Sequence, residues 1–214
     1  SSDYPFCRDG ARLAGMNVTE SLDALGIALP AHGPLTRWLT LLVAWNKRID
    51  LTAARTDAEL SDLMLADAAF VAKHVPENAR VVDVGTGAGA PGLALALMRP
   101  DLAVTLVEPL AKRASFLRTV IGTVGRADVK IVRARGDAVA ARMPGAFDVA
   151  ISRATLPPRA WIPLALGLAP VAWALLAREE PPMIDGTRID ADLAYAWPST
   201  GAQRRAVRYV VAAA

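Results

Sequence analysis

The sequence has 214 residues, of which 53% are hydrophobic and 21% charged, and its formal net charge is +3. This length and composition predict a globular chain with a well-filled core and exclude an intrinsically disordered protein. The single cysteine, Cys7, excludes an internal disulfide, and no hydrophobic run reaches membrane-spanning length without a charge or a proline. The polar start lacks the pattern of a signal peptide, so we expect a cytoplasmic protein that does not associate with membranes.

The basic residues are unevenly distributed along the chain. Acidic residues outnumber basic ones before residue 78, whereas residues 78–142 contain ten Lys and Arg and half as many acids. Such an excess suits a polyanionic partner such as RNA. A solvated helix face explains it equally well.

The N-terminal part of the chain is predicted to be helical after an irregular start. Residues 1–18 show no periodicity and are expected to form a loose arm. A short helix is predicted from Thr19, with Pro30 ending it. A second helix is predicted from Pro34 to about residue 50, because apolar residues recur there at three- and four-residue steps.

A third helix is predicted after these two, with Thr56 or Asp57 as its cap. Its expected buried face consists of Leu60, Leu63, Met64, Asp67, Val71 and His74. Asp67 interrupts this apolar face, and a carboxylate in such a place needs a charge partner, a helix-end donor or a ligand. Asp67 is therefore either part of a structural ion pair or a pocket residue.

A glycine-rich turn follows the third helix. A short β-branched run that ends at Val84 predicts a buried strand, and Gly85, Gly87 and Gly89 follow it at alternate positions. Glycines tolerate positive φ and allow close approach of a ligand, and a helix is predicted to begin near Leu93. The spacing also matches the G-x-G-x-x-G pattern of dinucleotide-binding proteins, so the glycines alone do not identify the ligand.

Asp83, at the end of this strand, distinguishes a dinucleotide from a positively charged ligand. A carboxylate there gives no attraction to a pyrophosphate dianion, whereas it attracts a ligand that carries an ammonium and a sulfonium group. This favours S-adenosylmethionine over NAD as the ligand.

Strands and helices alternate after the turn, as in a doubly wound sheet. The predicted strands are residues 104–108, 129–133, 147–152, 171–177, 193–197 and 206–212, and the predicted helices are residues 112–124 and 161–168. The closing pair of strands has no helix between them, which is typical of the methyltransferase variant of this fold. We expect an α/β Rossmann-like class I methyltransferase sheet, mostly parallel with an antiparallel last strand. An arm and helical cap (residues 1–76) and a cofactor-binding domain (77–214) would form one structural unit.

Two further acids follow strands of this sheet. Glu108 closes the second strand, about twenty residues after the glycines, where a carboxylate can accept both ribose hydroxyl protons. Asp137 comes after the third strand, where it could accept from an adenine amino group while neighbouring backbone contacts the ring. A carboxylate in a surface turn is the alternative explanation of Asp137.

Four motifs, in their order and spacing, carry a resemblance to a known family. They are Trp-Asn-Lys-Arg-Ile-Asp-Leu-Thr at 45–52, Asp-Val-Gly-Thr-Gly-Ala-Gly-Ala-Pro-Gly at 83–92, Leu-Ala-Lys-Arg-Ala-Ser-Phe-Leu at 110–117 and Ser-Arg-Ala at 152–154. From residue 34 to about residue 180 the chain resembles the bacterial ribosomal RNA small subunit methyltransferase G family, also called glucose-inhibited division protein B. The resemblance implies transfer of a methyl group from S-adenosylmethionine to N7 of a guanine in 16S ribosomal RNA, with the small ribosomal subunit as partner.

The expected site follows from these patterns and this resemblance. The expected cofactor-binding residues are Asp83, Gly85, Thr86, Gly87, Gly89, Glu108, Pro109, Asp137 and Ala138. Lys112 and Arg113 oppose the dipole of the helix that they begin, which favours contact with RNA phosphate. The resemblance implies that Arg153 contacts RNA phosphate or the target nucleotide, and an ion pair with a nearby acid is the alternative.

The expected chemistry needs no general base. Guanine N7 has a free lone pair in neutral solution, so we expect positioning to dominate and Asp67 to stabilise the positive charge that moves onto the base. Asp67 and Arg153 are therefore the candidate catalytic residues. The two histidines, His32 and His74, do not suggest a metal site. We expect a monomer.

Several other residues are open to two interpretations. Arg204, Arg205 and Arg208 either extend the basic surface or are simply solvated. Trp161, Trp173 and Trp197 are expected in the core and not as platforms for base stacking.

The chain departs from the family pattern in ways that keep alternatives open. Near Asp67 the usual His is absent, Asp50 replaces an Asn, and Leu176 replaces the Lys that usually ends the fifth strand. One alternative is a divergent methyltransferase that acts on another RNA or a small molecule. Another is an RNA-binding paralogue with little turnover, and a third is a nicotinamide-linked oxidoreductase.

Overall fold

The computed structural model describes residues 12–13, 16–177 and 179–212. The predicted arm lies largely outside these residues, as does Cys7. Two short strands, β1 (Arg12–Leu13) and β2 (Met16–Asn17), pair antiparallel ahead of the first helix.

Within the described ranges the chain forms eight α-helices and one π-helical segment. The helices are α1 (Val18–Ala24), α2 (Leu29–Asn46), α3 (Asp57–Ser61), α4 (Asp67–Val71), α5 (Gly92–Met98), α6 (Ala111–Val124), α7 (Gly136–Arg142) and α8 (Pro158–Leu168). The π segment (Asp62–Ala66) lies between α3 and α4. Of the helices described, none combines the length and the apolar character needed to cross a membrane.

A seven-stranded sheet forms the centre of the molecule. Its strands are β3 (Arg80–Val84), β4 (Ala103–Val107), β5 (Lys130–Val132), β6 (Val149–Arg153), β7 (Val171–Leu176), β8 (Thr187–Ala196) and β9 (Gln203–Val211). The order across the sheet is β5-β4-β3-β6-β7-β9-β8. The first five strands are parallel, and β9 inserts antiparallel between β7 and β8. The predicted fold class is therefore confirmed.

Helices cover both faces of the sheet, so the parallel strands are buried on both sides. Val81 and Leu106 belong to one apolar cluster, which includes side chains of α2, α5 and α6. Val82 and Val107 belong to the other, which includes side chains of α8. Neighbouring strand residues thus alternate between two cores, as the pleat requires. Because β3, β4, β6 and β7 are parallel, their carboxyl ends meet at one edge of the sheet.

The structure corrects the predicted bounds of the second helix. It begins at Leu29 and not at Pro34, because Pro30 lies in its first turn. The first N–H groups of a helix have no partner within it, so a proline there costs little and starts the helix where the sequence suggested an end. The helix ends at Asn46, whose Oδ1 accepts hydrogen bonds from the backbone N–H groups of Leu51 and Thr52 at 2.8 and 3.0 Å.

Three other elements differ from expectation. Helix α7 was not predicted; it is short and Val139 is its one buried residue, so its sequence carries little apolar periodicity. Strands β8 and β9 begin at Thr187 and Gln203, earlier than predicted. Strand β8 lies at the sheet edge and contains charged residues, which weakens the alternation that marks a strand.

Candidate functional site

The turn after β3 is built from glycines that no other residue could easily replace. Gly85, Gly87 and Gly89 have φ of +75°, +61° and +114°, a region that L side chains rarely adopt. The backbone also passes close to its neighbours, since a Cβ on Gly85 would lie 2.2 Å from the side chain of Thr155. The turn therefore presents bare backbone at the carboxyl edge of the sheet.

Asp83 lies directly beneath this turn and is fully buried. Its Oδ2 accepts a hydrogen bond from the backbone N–H of Gly92 at 2.8 Å, at the start of α5. Its Oδ1 and Thr86 Oγ1 are both buried, and neither makes a well-formed hydrogen bond in the described structure. Burial raises the pKa of Asp83 to about 6, although the nearby side chain of Thr86 acts to lower it. Two poorly satisfied polar atoms beside a buried carboxylate at a glycine-rich turn fit a site for a polar, positively charged ligand.

Glu108 connects the turn to the following helix. Its carboxylate is 2% exposed and accepts from the backbone N–H of Gly87 at 3.0 Å and from that of Leu110 at 2.8 Å. Pro109, between β4 and α6, is exposed. A carboxylate can accept about four hydrogen bonds, so Glu108 retains acceptor capacity for a ligand. Its predicted contact with a ribose stays a prediction.

Asp137 and Ala138 lie at the start of α7. The Asp137 side chain is 60% exposed and pairs with Arg135 at 3.1 Å, and the backbone N–H of Ala138 donates to Asp137 Oδ1 at 2.8 Å. The hydrogen bond from Arg135 holds the pKa of Asp137 below its usual value. The carboxylate is thus in a surface turn, and the predicted contact with adenine stays a prediction.

The structure brings the two candidate catalytic residues together. Asp67, at the start of α4, is 1% exposed, and its Oδ2 accepts from Arg153 Nη1 at 3.0 Å. Its Oδ1 accepts from the hydroxyl of Tyr195 at 2.7 Å and from the indole Nε1 of Trp197 at 2.6 Å. Arg153 also donates to the carbonyl of Leu63. Burial, with the charge of Asp67, raises the pKa of Tyr195, which keeps that hydroxyl a donor.

The π segment explains how two acids of the helical cap reach the same hairpin. Asp62 accepts from the backbone N–H and hydroxyl of Thr200 at 2.8 and 2.7 Å, in the turn between β8 and β9. In an α-helix, residues five apart are separated by about 140° around the axis. In a π-helix the i→i+5 hydrogen bonds bring them onto one face. Asp62 and Asp67 therefore both point toward the β8–β9 hairpin.

A cavity of about 540 Å³ opens beside Asp67, at the carboxyl ends of β6 and β7. Its lining includes Asp67, Arg153, Trp161, Leu176, Trp197 and Arg204. Trp161 and Trp197 are buried, as their sequence context predicts, yet both also border this cavity. Tyr195, Trp197 and Arg204 were not expected at the site, because no local pattern links the last two strands to Asp67.

The two candidate RNA-binding residues of α6 lie at its exposed N-terminal turn. Arg113 Nη2 donates to the backbone carbonyl of Asp50 at 3.3 Å, which ties α6 to the loop after α2. Lys112 is exposed. Their contact with RNA stays a prediction.

The carboxyl edge of the sheet therefore carries two adjacent compartments. One is the glycine turn with Asp83 and Glu108, which suits a cationic nucleoside. The other is the cavity beside Arg153 and Asp67, between β6, β7 and the hairpin. Such an edge is where open α/β sheets bind their ligands.

Comparison with known proteins gives a consistent result. Residues 32–168 match the family model described as rRNA small subunit methyltransferase G. The chain is 39% identical over 165 residues to the Ribosomal RNA small subunit methyltransferase G of Halorhodospira halophila, covering 77% of this chain and 74% of that protein. It is 34% identical over 183 residues to the protein of the same name from Anaeromyxobacter dehalogenans, covering 81% of each.

The fold is also found among solved structures. A putative RNA methyltransferase from Pyrococcus horikoshii superposes with a TM-score of 0.53 at 16% identity, covering 83% of this chain and 100% of that one. This likeness shows the fold alone.

Proposed function

We infer the function of this chain from its family: it belongs to the rRNA small subunit methyltransferase G family. We propose that it transfers a methyl group from S-adenosylmethionine to N7 of a guanine in 16S ribosomal RNA. The family and fold imply a cofactor of the S-adenosylmethionine type and a ribosomal RNA substrate. The observation that carries the proposal is the glycine turn above a buried, partly unpaired Asp83, next to the cavity that Arg153 and Asp67 line.

The glycine turn and its acids would hold the cofactor. Asp83 Oδ1 and Thr86 Oγ1, which lack well-formed hydrogen bonds, would turn toward its polar groups, and the negative charge of Asp83 attracts its ammonium and sulfonium. Glu108 would accept hydrogen bonds from the ribose hydroxyls, and Asp137 with the backbone of Ala138 would contact the adenine. When bound there, S-adenosylmethionine supplies a methyl group on a positively charged sulfur.

The cavity beside Arg153 would receive the guanine. The N7 lone pair would face the methyl group that the cofactor supplies, and the new N–C bond would form as the S–C bond breaks, with the electron pair of that bond left on sulfur. No proton is transferred, so the residues at the site need only hold the base in line with the methyl group. The methylated guanine carries a positive charge, which the carboxylate of Asp67 stabilises.

Asp67 and Arg153 have linked roles in this proposal. Arg153 donates to Asp67 and to the carbonyl of Leu63, so its guanidinium is fixed at the cavity wall. From there it would contact the target nucleotide or an RNA phosphate. Lys112 and Arg113 would bind RNA phosphates on the other side of the cofactor site. We infer a monomer that acts in the cytoplasm, where ribosomal RNA is available.

The decisive experiment is methylation of small ribosomal subunits that lack the modification. We expect purified protein to transfer labelled methyl groups to 16S ribosomal RNA, and mapping should locate them at N7 of a guanine. Label in another RNA or in a small molecule would contradict the proposed substrate. Tight binding of S-adenosylmethionine without transfer to any RNA would instead favour a binding protein.

A further inference from the structure

Three arginines of β9 differ in their partners. Arg205 donates to Asp192 and to Glu180, each at 2.7 Å, and Arg208 pairs with Asp190. Arg204 has no carboxylate partner in the described ranges, and the one hydrogen bond that it makes there is a long one, 3.5 Å, to the carbonyl of Gln203. The positive charge of Arg204 is therefore not neutralised by a neighbour.

The position of Arg204 is nevertheless fixed. Its guanidinium carbon lies 3.7 Å from the centre of the Trp197 ring, in a cation–π contact. Trp197 is itself held by the hydrogen bond to Asp67. A guanidinium that stacks through its face keeps the N–H groups at its edge available for planar anions.

Arg204 also borders the cavity proposed for the guanine. Among the described residues of the lining, the other cation is Arg153, which donates to Asp67 and to the carbonyl of Leu63. Arg204, by contrast, is only partly buried and can be reached from solvent. Glu179 borders the cavity too, but it is exposed and well solvated. Arg204 therefore places available donors of hydrogen bonds at the rim of the cavity.

We propose that Arg204 binds an RNA phosphate next to the target guanosine. This inference rests on the proposed function, and it adds a specific substrate-binding residue to it. A base that enters the cavity keeps its flanking phosphates at the rim, because they lie outside the base itself. Phosphate is the anion that a stacked guanidinium binds with two parallel hydrogen bonds.

The test is the salt dependence of binding to a 16S ribosomal RNA transcript. Arg204→Gln should weaken binding about tenfold at low salt, the loss expected for one charge-assisted contact. It should also make the slope of log K against log salt shallower by about 0.7 to 0.9. Arg205→Gln removes the same charge from the next residue, whose guanidinium pairs with Asp192 and Glu180, and should leave affinity and slope nearly unchanged. Arg204→Lys should keep the slope and lose part of the affinity.

The outcomes separate this inference from the proposed function. Equal slopes for Arg204→Gln and the wild type, or equal losses for Arg204→Gln and Arg205→Gln, would overturn the role of Arg204. If the wild type binds the transcript but methylates no subunit, the proposed function fails while the comparison of variants still decides on Arg204. If the wild type does not bind the RNA, both fail. If Arg204→Gln folds poorly, Arg204→Lys keeps the test valid. Lysine keeps the positive charge, so a shallower slope of log K against log salt in this variant would contradict a phosphate contact.

Discussion

The indole Nε1 of Trp197 donates a hydrogen bond of 2.6 Å to Asp67 Oδ1, although the two residues are 130 positions apart in the chain. Tyr195 and Arg153 also donate to this carboxylate, so all of its partners are donors. An Asp67→Asn substitution would point an amide N–H at one of them. We expect the free energy of unfolding to fall by about 2 to 4 kcal/mol. Methyl transfer should fall as well, and denaturation and single-turnover assays would measure the two effects.

Asp62→Asn is the matched control for this variant. Asp62 anchors the same hairpin through Thr200 but does not border the cavity. Asp62→Asn should therefore destabilise the protein. At temperatures where both variants are folded, its single-turnover rate should be much closer to that of the wild type than the rate of Asp67→Asn. Equal losses of rate in the two variants would mean that Asp67 serves only to hold the hairpin.

Asp83 should make stability depend on pH. Its pKa of about 6 in the folded protein lies above the ordinary value of 3.8, so the folded state holds this proton more tightly than the unfolded state. The stability that Asp83 contributes is therefore lost as pH rises from about 4 to about 6. Asp83→Asn removes this titration and can keep the hydrogen bond to Gly92. Without ligand, we expect it to be more stable than the wild type by about 2 to 3 kcal/mol at pH 8 and by about 1 kcal/mol at pH 4.5.

The same variant tests the role of the charge in ligand binding. The buried negative charge of Asp83 lowers the stability of the protein without ligand, and a cation that binds nearby offsets this cost. Asp83→Asn should therefore weaken S-adenosylmethionine binding about tenfold or more, as measured by calorimetry. A stability difference that does not change with pH, together with unchanged affinity, would show that Asp83 is neutral and only structural.

Gly92 should not tolerate a side chain. A Cβ there would lie 2.5 Å from the Cβ and 2.6 Å from the Oδ2 of Asp83, both of which are held in a packed core. We expect Gly92→Ala to lower the free energy of unfolding by about 2 to 3 kcal/mol. Gly122→Ala, in α6 with no atom within 4 Å of the new Cβ, is the control and should stabilise the protein by about 0.5 to 1 kcal/mol. Thermal denaturation of the two variants would reveal the opposite signs.

Glu108 and Asp137 should differ in their importance for the cofactor. Glu108→Gln would place an amide N–H against one of two backbone N–H groups, that of Gly87 or that of Leu110. It would also weaken any hydrogen bond that the side chain accepts from a ribose hydroxyl. We expect its dissociation constant for S-adenosylmethionine to rise about tenfold or more. Asp137→Asn, on the surface, should change the constant by a few-fold if the residue contacts adenine. If Asp137→Asn binds like the wild type, Asp137 belongs to the Arg135 ion pair alone.

The sequence predicts best those parts of the fold that residues close together in the chain determine. The strand ending at Val84, the glycine turn and the capping Thr56 each depend on neighbouring residues, and the structure has all three. The prediction at Pro30 was wrong, because a proline is typical both of the end of one helix and of the first turn of the next. Helix α7 was not predicted because a short helix with one buried residue, Val139, shows little apolar periodicity.

The site was predictable only in part. Asp67 was recognised as an anomaly, since a carboxylate on an apolar face always needs an explanation. Its partners were not, because Tyr195 and Trp197 reach it through the pairing of distant strands. The three arginines of β9 look alike in sequence, and only their neighbours in space distinguish Arg204 from Arg205.

The π segment contains one residue more than an α-helix would need to turn both Asp62 and Asp67 toward the hairpin. Removing one residue between Asp62 and Asp67 would allow an ordinary helix to run through this region and would leave the two acids four positions apart. Residues four apart in an α-helix are separated by only about 40° around the axis, so both carboxylates would stay on one face. We therefore expect such a shortened chain to keep both contacts with the hairpin, and with them the wall of the cavity. In the chain as it is, an α-helical form of the same segment would separate the two acids by about 140°, so the grip of the cap on the hairpin lasts only while the segment stays π-helical.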